Sequence, residues 1–197
     1  MKKIMFNDRY GLTQAVLDGR KTMTRRIIKG EFEKITAFST TYGWYYDGET
    51  KDGETIEIQP QYWEGEKVAV AQPYKDTDVL SFNAYLPDGL KRHKEMLSSA
   101  GYRNKMFVRA DLMPHRIRIT NIKVERLQDI SEEDCMKEGL LAGEQEPRMY
   151  GFRLPEGTVL SFLTPREAFA SLIDRISGKG TWERNPWVYA YEFKLIK

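Results

Sequence analysis

Between residues 187 and 193 large aromatic side chains recur at every second position, Trp187, Tyr189, Tyr191 and Phe193, with Val188, Ala190 and Glu192 between them. A period of two belongs to a β-strand, whose successive side chains point to opposite faces, so this segment reads as a strand with one aromatic face. Aromatic rows can stack nucleic-acid bases. Burial against a helix is the use expected here, because the closing strand of a small barrel needs a filled interior.

The rest of the chain is read around that strand. Residues 35 to 59 predict strands interrupted at Asp47-Gly48 and Asp52-Gly53, and Gly65 opens another through Val68 and Val70, ended by Pro73. Ile117 and Ile119 alternate with Arg116 and Arg118, but Ile122 and Val124 fall out of phase, which predicts a bulge near Thr120. Asp8 is placed to cap a helix carrying Leu12, Ala15 and Val16 on one face, with Gly19 suited to end it. Ser131 and Asp134 form a second N-terminal cap, and Gly139 fits the end of that short helix. Thr164, Pro165 and Glu167 make a third, for a helix whose stripe of Phe169, Leu172, Ile173 and Ile176 is expected to be core and not a site. Strands dominate, so the pattern predicts an α+β fold with a curved or closed sheet.

At 197 residues, 41% of them hydrophobic, the chain fits one globular domain over 1–197, with insertions at 76–104 and 141–164. The second insertion reads as a lid-like loop with Arg148, Tyr150 and Arg153 as ligand-facing groups. The basic run Lys91-Arg92-His93-Lys94 in the first reads as a solvated helix face. Thirty-one basic residues against 29 acidic leave a net charge of +2, too small to imply nucleic-acid binding from total charge, so any basic footprint is local. Cys135 is the single cysteine and His93 and His115 are far apart, so neither an internal disulfide nor a metal-ligand spacing is present, and no cofactor is called for. No long apolar run follows Lys2 and Lys3, so membrane insertion is not expected and cytoplasmic residence is the default.

Chemistry concentrates in Asp18-Gly19-Arg20-Lys21-Thr22-Met23-Thr24-Arg25-Arg26. Here one lysine and one threonine hydroxyl stand among three guanidinium groups. Guanidinium stays charged, so its repulsion favours the neutral amine of Lys21 and makes it a candidate base for Thr24. In a regular strand the two side chains would point to opposite faces, so a turn or bulge must intervene for both to reach one pocket. Glu138, in the last turn before Gly139, sits near the negative end of a helix dipole, which favours its acid form.

Gly19-Arg20-Lys21-Thr22, then Thr24 and Arg26, resembles the N-terminal signature of the ASCH domain family, a branch of the PUA-like superfamily. Gly65-Glu66-Lys67-Val68, the strand at Arg116–Ile119, Leu127 to Asp134 with Glu138-Gly139, and the aromatic closing strand follow in the same order. The chain is most similar to long, phage- and prophage-associated members, which end in a segment like Gly180 to Trp187 and whose role is largely unassigned. Two positions depart from the pattern. Arg25 replaces an apolar residue, and Ala71-Gln72-Pro73 stands where long members carry an Arg-Glu pair.

The resemblance implies a PUA-like curved sheet or pseudo-barrel of mostly antiparallel strands with a few flanking helices. A short bacterial branch removes the acetyl group of N4-acetylcytidine with a lysine, a threonine and a glutamate, which match Lys21, Thr24 and Glu138. The function implied is binding of a modified nucleoside or RNA base, with metal-independent hydrolysis of an N4-acylated cytidine as its chemistry. In that scheme Lys21 takes the proton of Thr24, Thr24 attacks the acyl carbon and Glu138 protonates the departing amine. Arg20, Arg25 or Arg26 would stabilise the oxyanion or hold a phosphate. The alternatives are a non-catalytic RNA-binding module and a phage or prophage accessory protein binding another nucleotide-like ligand.

Overall fold

The structure, a computed structural model, describes residues 1–40, 43–78 and 87–196 apart from the side chains of 39, 40 and 43. Residues 41–42 of the expected strand region and 79–86 of the expected insertion 76–104 lie outside the described residues. In chain order the elements are β1 (Lys3–Ile4), α1 (Leu12–Leu17), β2 (Met23–Ile27), β3 (Lys34–Thr40), β4 (Gly43–Glu49), β5 (Thr55–Ile58), β6 (Lys67–Val70), α2 (Gly89–Ser98), β7 (Arg116–Arg126), α3 (Glu132–Lys137), β8 (Leu141–Ala142), β9 (Tyr150–Arg153), β10 (Val159–Phe162), α4 (Pro165–Ser177), α5 (Thr181–Arg184) and β11 (Trp187–Ile196). The architecture is α+β, as expected.

The main sheet has the order β1-β6-β7-β11-β2 and is antiparallel except between β1 and β6. The aromatic strand β11 lies inside the sheet, between β7 and β2, and is buried from Val188 to Tyr191 and at Phe193. The aromatic face is buried, as expected, and it meets other rings. Tyr189 meets Tyr46 of β4 with ring centroids 5.6 Å apart, Tyr191 meets Tyr62 at 5.4 Å, and Phe193 meets Phe6 at 5.7 Å. A helix takes the other face, where Ala190 lies beside Arg25, whose guanidinium carbon sits 6.0 Å from the Phe169 ring centroid in α4. The Tyr46–Tyr189 and Tyr62–Tyr191 pairs are edge-to-face, a favoured arrangement that fills this interior.

Glu192 pairs with Asn121 but Phe193 pairs with Ile119, leaving Thr120 as the extra residue of a bulge at the expected position. This one slip turns Ile117, Ile119, Ile122 and Val124 toward a common side, all contributing to the main core. The Thr120 hydroxyl is enclosed there without a hydrogen-bond partner among the described residues.

Other expectations change. Asp47-Gly48 does not interrupt β4, because a Cβ at Gly48 would come 2.4 Å from a ring carbon of Phe32; glycine makes room for that ring inside a continuous strand. Asp52-Gly53 is a turn, with Gly53 at φ +78°. Asn7, not Asp8, caps the first turn, and Gly11 at φ +66° separates that turn from α1. Segment 141–164 is not a lid-like loop, since β8, β9 and β10 form their own sheet, anchored in the core by Phe152. Arg148 and Arg153 are used within it, donating to the Gly143 and Gly157 carbonyls. The first insertion extends past residue 104, because Tyr74, Met96, Val108 and Met113 close a second apolar cluster over Ala69 and Ala71.

The main sheet curls without closing. Its terminal strands, β1 and β2, face each other across a seam where Arg26 Nη2 donates to the Met5 carbonyl at 2.6 Å. Among the described residues no helix is long and apolar enough to cross a membrane.

Candidate functional site

The seam is a cavity of about 370 Å³, within the roughly 300–1,000 Å³ usual for small-molecule sites. Lys21, Thr24 and Glu138 all line it, together with Arg25, Arg26 and apolar side chains of the N-terminal segment and α4. Each reaches it by a different local device. Lys21 precedes β2, in the link that follows the left-handed Gly19, and its N–H donates to the Ala15 carbonyl at 2.8 Å. Strand alternation therefore does not separate it from Thr24. Thr22 N–H donates to the Lys137 carbonyl at 2.9 Å, joining this link to the end of α3.

Glu138 closes α3, whose Ser131 hydroxyl accepts from Asp134 N–H at 3.1 Å as the cap pattern predicts. Gly139 then turns at φ +99°, and a Cβ there would come 3.1 Å from the Lys21 Cβ. Only glycine combines that conformation with that approach. The consequence is direct contact: Lys21 Nζ donates to Glu138 Oε2 at 2.6 Å and to the Glu138 carbonyl at 2.7 Å. The helix dipole is thus not the main neighbour of this carboxylate, since two cations are. Arg25 Nη1 donates to Glu138 Oε1 at 3.1 Å, so each carboxylate oxygen has its own positive partner.

Burial lowers the Lys21 pKa, and repulsion from Arg26 and Arg25 adds to this while Glu138 opposes it. Burial would lower Arg25 as well, but Glu138 and Glu125 outweigh it and its pKa is raised. The two directions fit their partners. Lys21 has one carboxylate, whereas Arg25 has three: Glu138, Glu125 at 2.6 Å and Asp134 at 3.3 Å. A lowered pKa brings a buried lysine nearer its amine form, and a guanidinium saturated with carboxylates is a fixed charge.

The three signature arginines divide accordingly. Arg25, with its side chain 1% exposed, cannot grip a ligand phosphate, because its donors are spent on carboxylates and on the Met23 sulfur. Its route inward passes Ala190, the neighbouring residue on β11, where a small side chain leaves room to reach Glu125 on β7. Arg20 is not among the cavity's lining residues, and donates to the Gly139 carbonyl, bracing the turn beside Lys21. Its pKa is lowered, chiefly by burial. Arg26 does line the cavity, and its Nε is enclosed without a partner among the described residues.

Several contributors were not legible in the sequence. The Phe6 ring lies beneath two cations, 5.8 Å from Lys21 Nζ and 6.0 Å from the Arg26 guanidinium carbon, a cation–π arrangement that substitutes for water. In α4, Phe169, Leu172 and Ile173 are core as the stripe predicts, whereas Ile176 is exposed, and all four also line the cavity. Nothing in the sequence marks Glu125, and Asp134 reads there only as part of a helix cap. Only an unusual cation inside the signature, Arg25, signalled that buried acids were needed nearby.

Among the described residues no cluster of His, Cys, Asp or Glu is arranged to hold a metal ion. Compared with protein-family models, curated proteins and solved structures, the chain matches none.

Proposed function

We propose that this chain is an ASCH-like domain on a PUA-like pseudo-barrel, that its seam cavity binds a modified nucleoside or RNA base, and that it hydrolyses the amide of an N4-acylated cytidine. One observation carries the reading: Lys21 and Glu138, 117 positions apart, meet in the cavity that Thr24 also lines. The curled sheet with an open seam supports the fold assignment. Apolar walls suit a base, and Lys21, Glu138 and Arg25 are joined by hydrogen bonds among the lining residues.

Proton movement across the 2.6 Å Lys21–Glu138 contact turns the ion pair into a neutral amine and a carboxylic acid. The amine takes the Thr24 proton, the Thr24 oxygen attacks the acyl carbon, and the acid protonates the departing N4 amine. Water then cleaves the threonyl ester, with the Lys21–Glu138 pair moving the protons back. Arg26, which lines the cavity, serves the oxyanion.

The experiment is product chromatography after incubation with N4-acetylcytidine in the absence of added metal, using wild type, Lys21→Ala, Thr24→Ala and Glu138→Gln. Turnover by wild type and its loss in all three variants is expected. Turnover that persists equally in the variants rules out the mechanism. The second reading, a non-catalytic binding pocket, is favoured by one feature: no hydrogen bond joins Thr24 to Lys21. Binding of the nucleoside without turnover would establish it.

A further inference from the structure

Of the signature arginines Arg25 is sealed among carboxylates, while Arg20 and Arg26 each hold a main-chain carbonyl beside the Lys21 cavity; a separate group of cations lies on the outer face of the main sheet. Lys67 on β6 pairs with Arg118 on β7, and Arg118 pairs with Lys194 on β11, which sets three exposed cations side by side across three strands. Arg116, also exposed, follows on the same face. None of the four makes an ion pair among the described residues. Directly opposed like charges destabilise a sheet, so the row costs the fold stability and calls for an anion outside it. At about 4.8 Å between strands it spans about 10 Å.

The row is bare between two covered parts of one sheet face. On β6, Ala69 lies under the second apolar cluster, and on β11, Ala190 lies in the part of the face that α3 and α4 cover through Arg25. Beside it is a second cavity of about 390 Å³ at the edge of β7. Trp44 and Trp63 line that cavity and remain 51% and 36% exposed. The segment between Trp63 and Lys67 is fastened to β7 by Gly65 N–H to the Ile119 carbonyl at 2.8 Å and Ile119 N–H to the Glu66 carbonyl at 3.0 Å. Row and cavity are therefore contiguous. Lys123, half exposed and 3.9 Å from Asp134, extends the positive side into the cavity. The acids nearby are Glu64, Glu125, Glu66 and Glu192; Glu125 is held by Arg25 and Glu66 by Lys2.

We propose that this surface binds single-stranded nucleic acid, with the Lys67–Arg118–Lys194 row taking phosphates and Trp44 and Trp63 stacking bases. A cationic track beside aromatic platforms is the arrangement that holds unpaired strands whatever their sequence. The surface is separate from the Lys21 cavity and stands whether or not that cavity is catalytic.

The test is fluorescence anisotropy with labelled oligonucleotides of about 12 uridines or thymidines, and with a DNA duplex of equal length, over a range of salt. Wild type is expected to bind both single strands alike and the duplex at least about tenfold more weakly, since paired bases are not free to stack. Lys67→Gln with Arg118→Gln and Lys194→Gln is expected to flatten the log–log salt dependence by about two units, at roughly 0.7 per lost phosphate contact. Arginine at positions 67 and 194 should leave the slope unchanged. Trp44→Ala, at the more exposed of the two sites, and Trp63→Ala should each weaken binding about 5- to 150-fold. Absence of single-strand binding by wild type, an unchanged slope in the triple variant, or equal affinity for duplex would overturn the proposal. Indifference to both tryptophan substitutions would also overturn it, leaving a general polyanion surface.

Discussion

Lys21 Nζ lies 2.6 Å from a Glu138 carboxylate oxygen, and both side chains are almost wholly enclosed, at 2% and 6% exposure. Two opposite charges at that distance inside a protein hold each other strongly, yet both have lost water. For Lys21 the loss is the larger effect, so its pKa falls although its partner pulls the other way.

The first prediction concerns that balance. The Lys21 ¹³Cε resonance should titrate with a midpoint below 10.5, and the midpoint should fall further in Glu138→Gln, which removes the group that raises it. The sign for stability follows: between the lowered folded value and 10.5 the unfolded chain binds more protons, so this group's contribution rises with pH across that window and levels off above it. A wild-type midpoint at or above 10.5 would contradict the assignment of burial as the dominant cause.

Arg25 is a structural charge. Replacing it with methionine leaves Glu125, Asp134 and Glu138 facing one another without their shared partner, a change expected to cost about 3–5 kcal/mol in denaturant unfolding. Lysine should recover only a minor part, because a single ammonium cannot reproduce a planar fork held by three carboxylates. Near-complete recovery by Arg25→Lys would show that charge alone suffices.

Gly139 couples folding to the site. Gly139→Ala places a side chain at φ +99° and 3.1 Å from the Lys21 Cβ, so it should destabilise by more than the ~1 kcal/mol of an ordinary glycine exchange and displace the Lys21 resonances. Unaltered stability and spectra would mean that the turn has room to relax.

Cys135 offers a check on burial. Its thiol is pushed up to about 12, chiefly by burial, so it should resist iodoacetamide at pH 8 in the native protein and react once guanidinium unfolds the chain. Rapid native labelling would show that α3 opens readily, and with it the support of Glu138.

Local rules made much of this protein legible in its sequence. The period of two at Trp187–Phe193, the phase slip that places a bulge at Thr120, the Ser131 and Thr164 caps, and glycines 19 and 139 as turn points each depend on neighbours within a few residues. Backbone sterics and short-range hydrogen bonds act at that range, so the residue types alone decide them. What lay beyond reach was set by pairing across the chain. Which strand would stand beside β11 determined that Arg25 crosses Ala190 toward Glu125, that the aromatic face meets Tyr46 and Tyr62, and that Lys67, Arg118 and Lys194 form a row. A guanidinium in a sequence carries the same charge whether it faces solvent or three carboxylates. Only the tertiary structure decides how much water it keeps, and that desolvation separates the sealed Arg25 from the exposed Arg118.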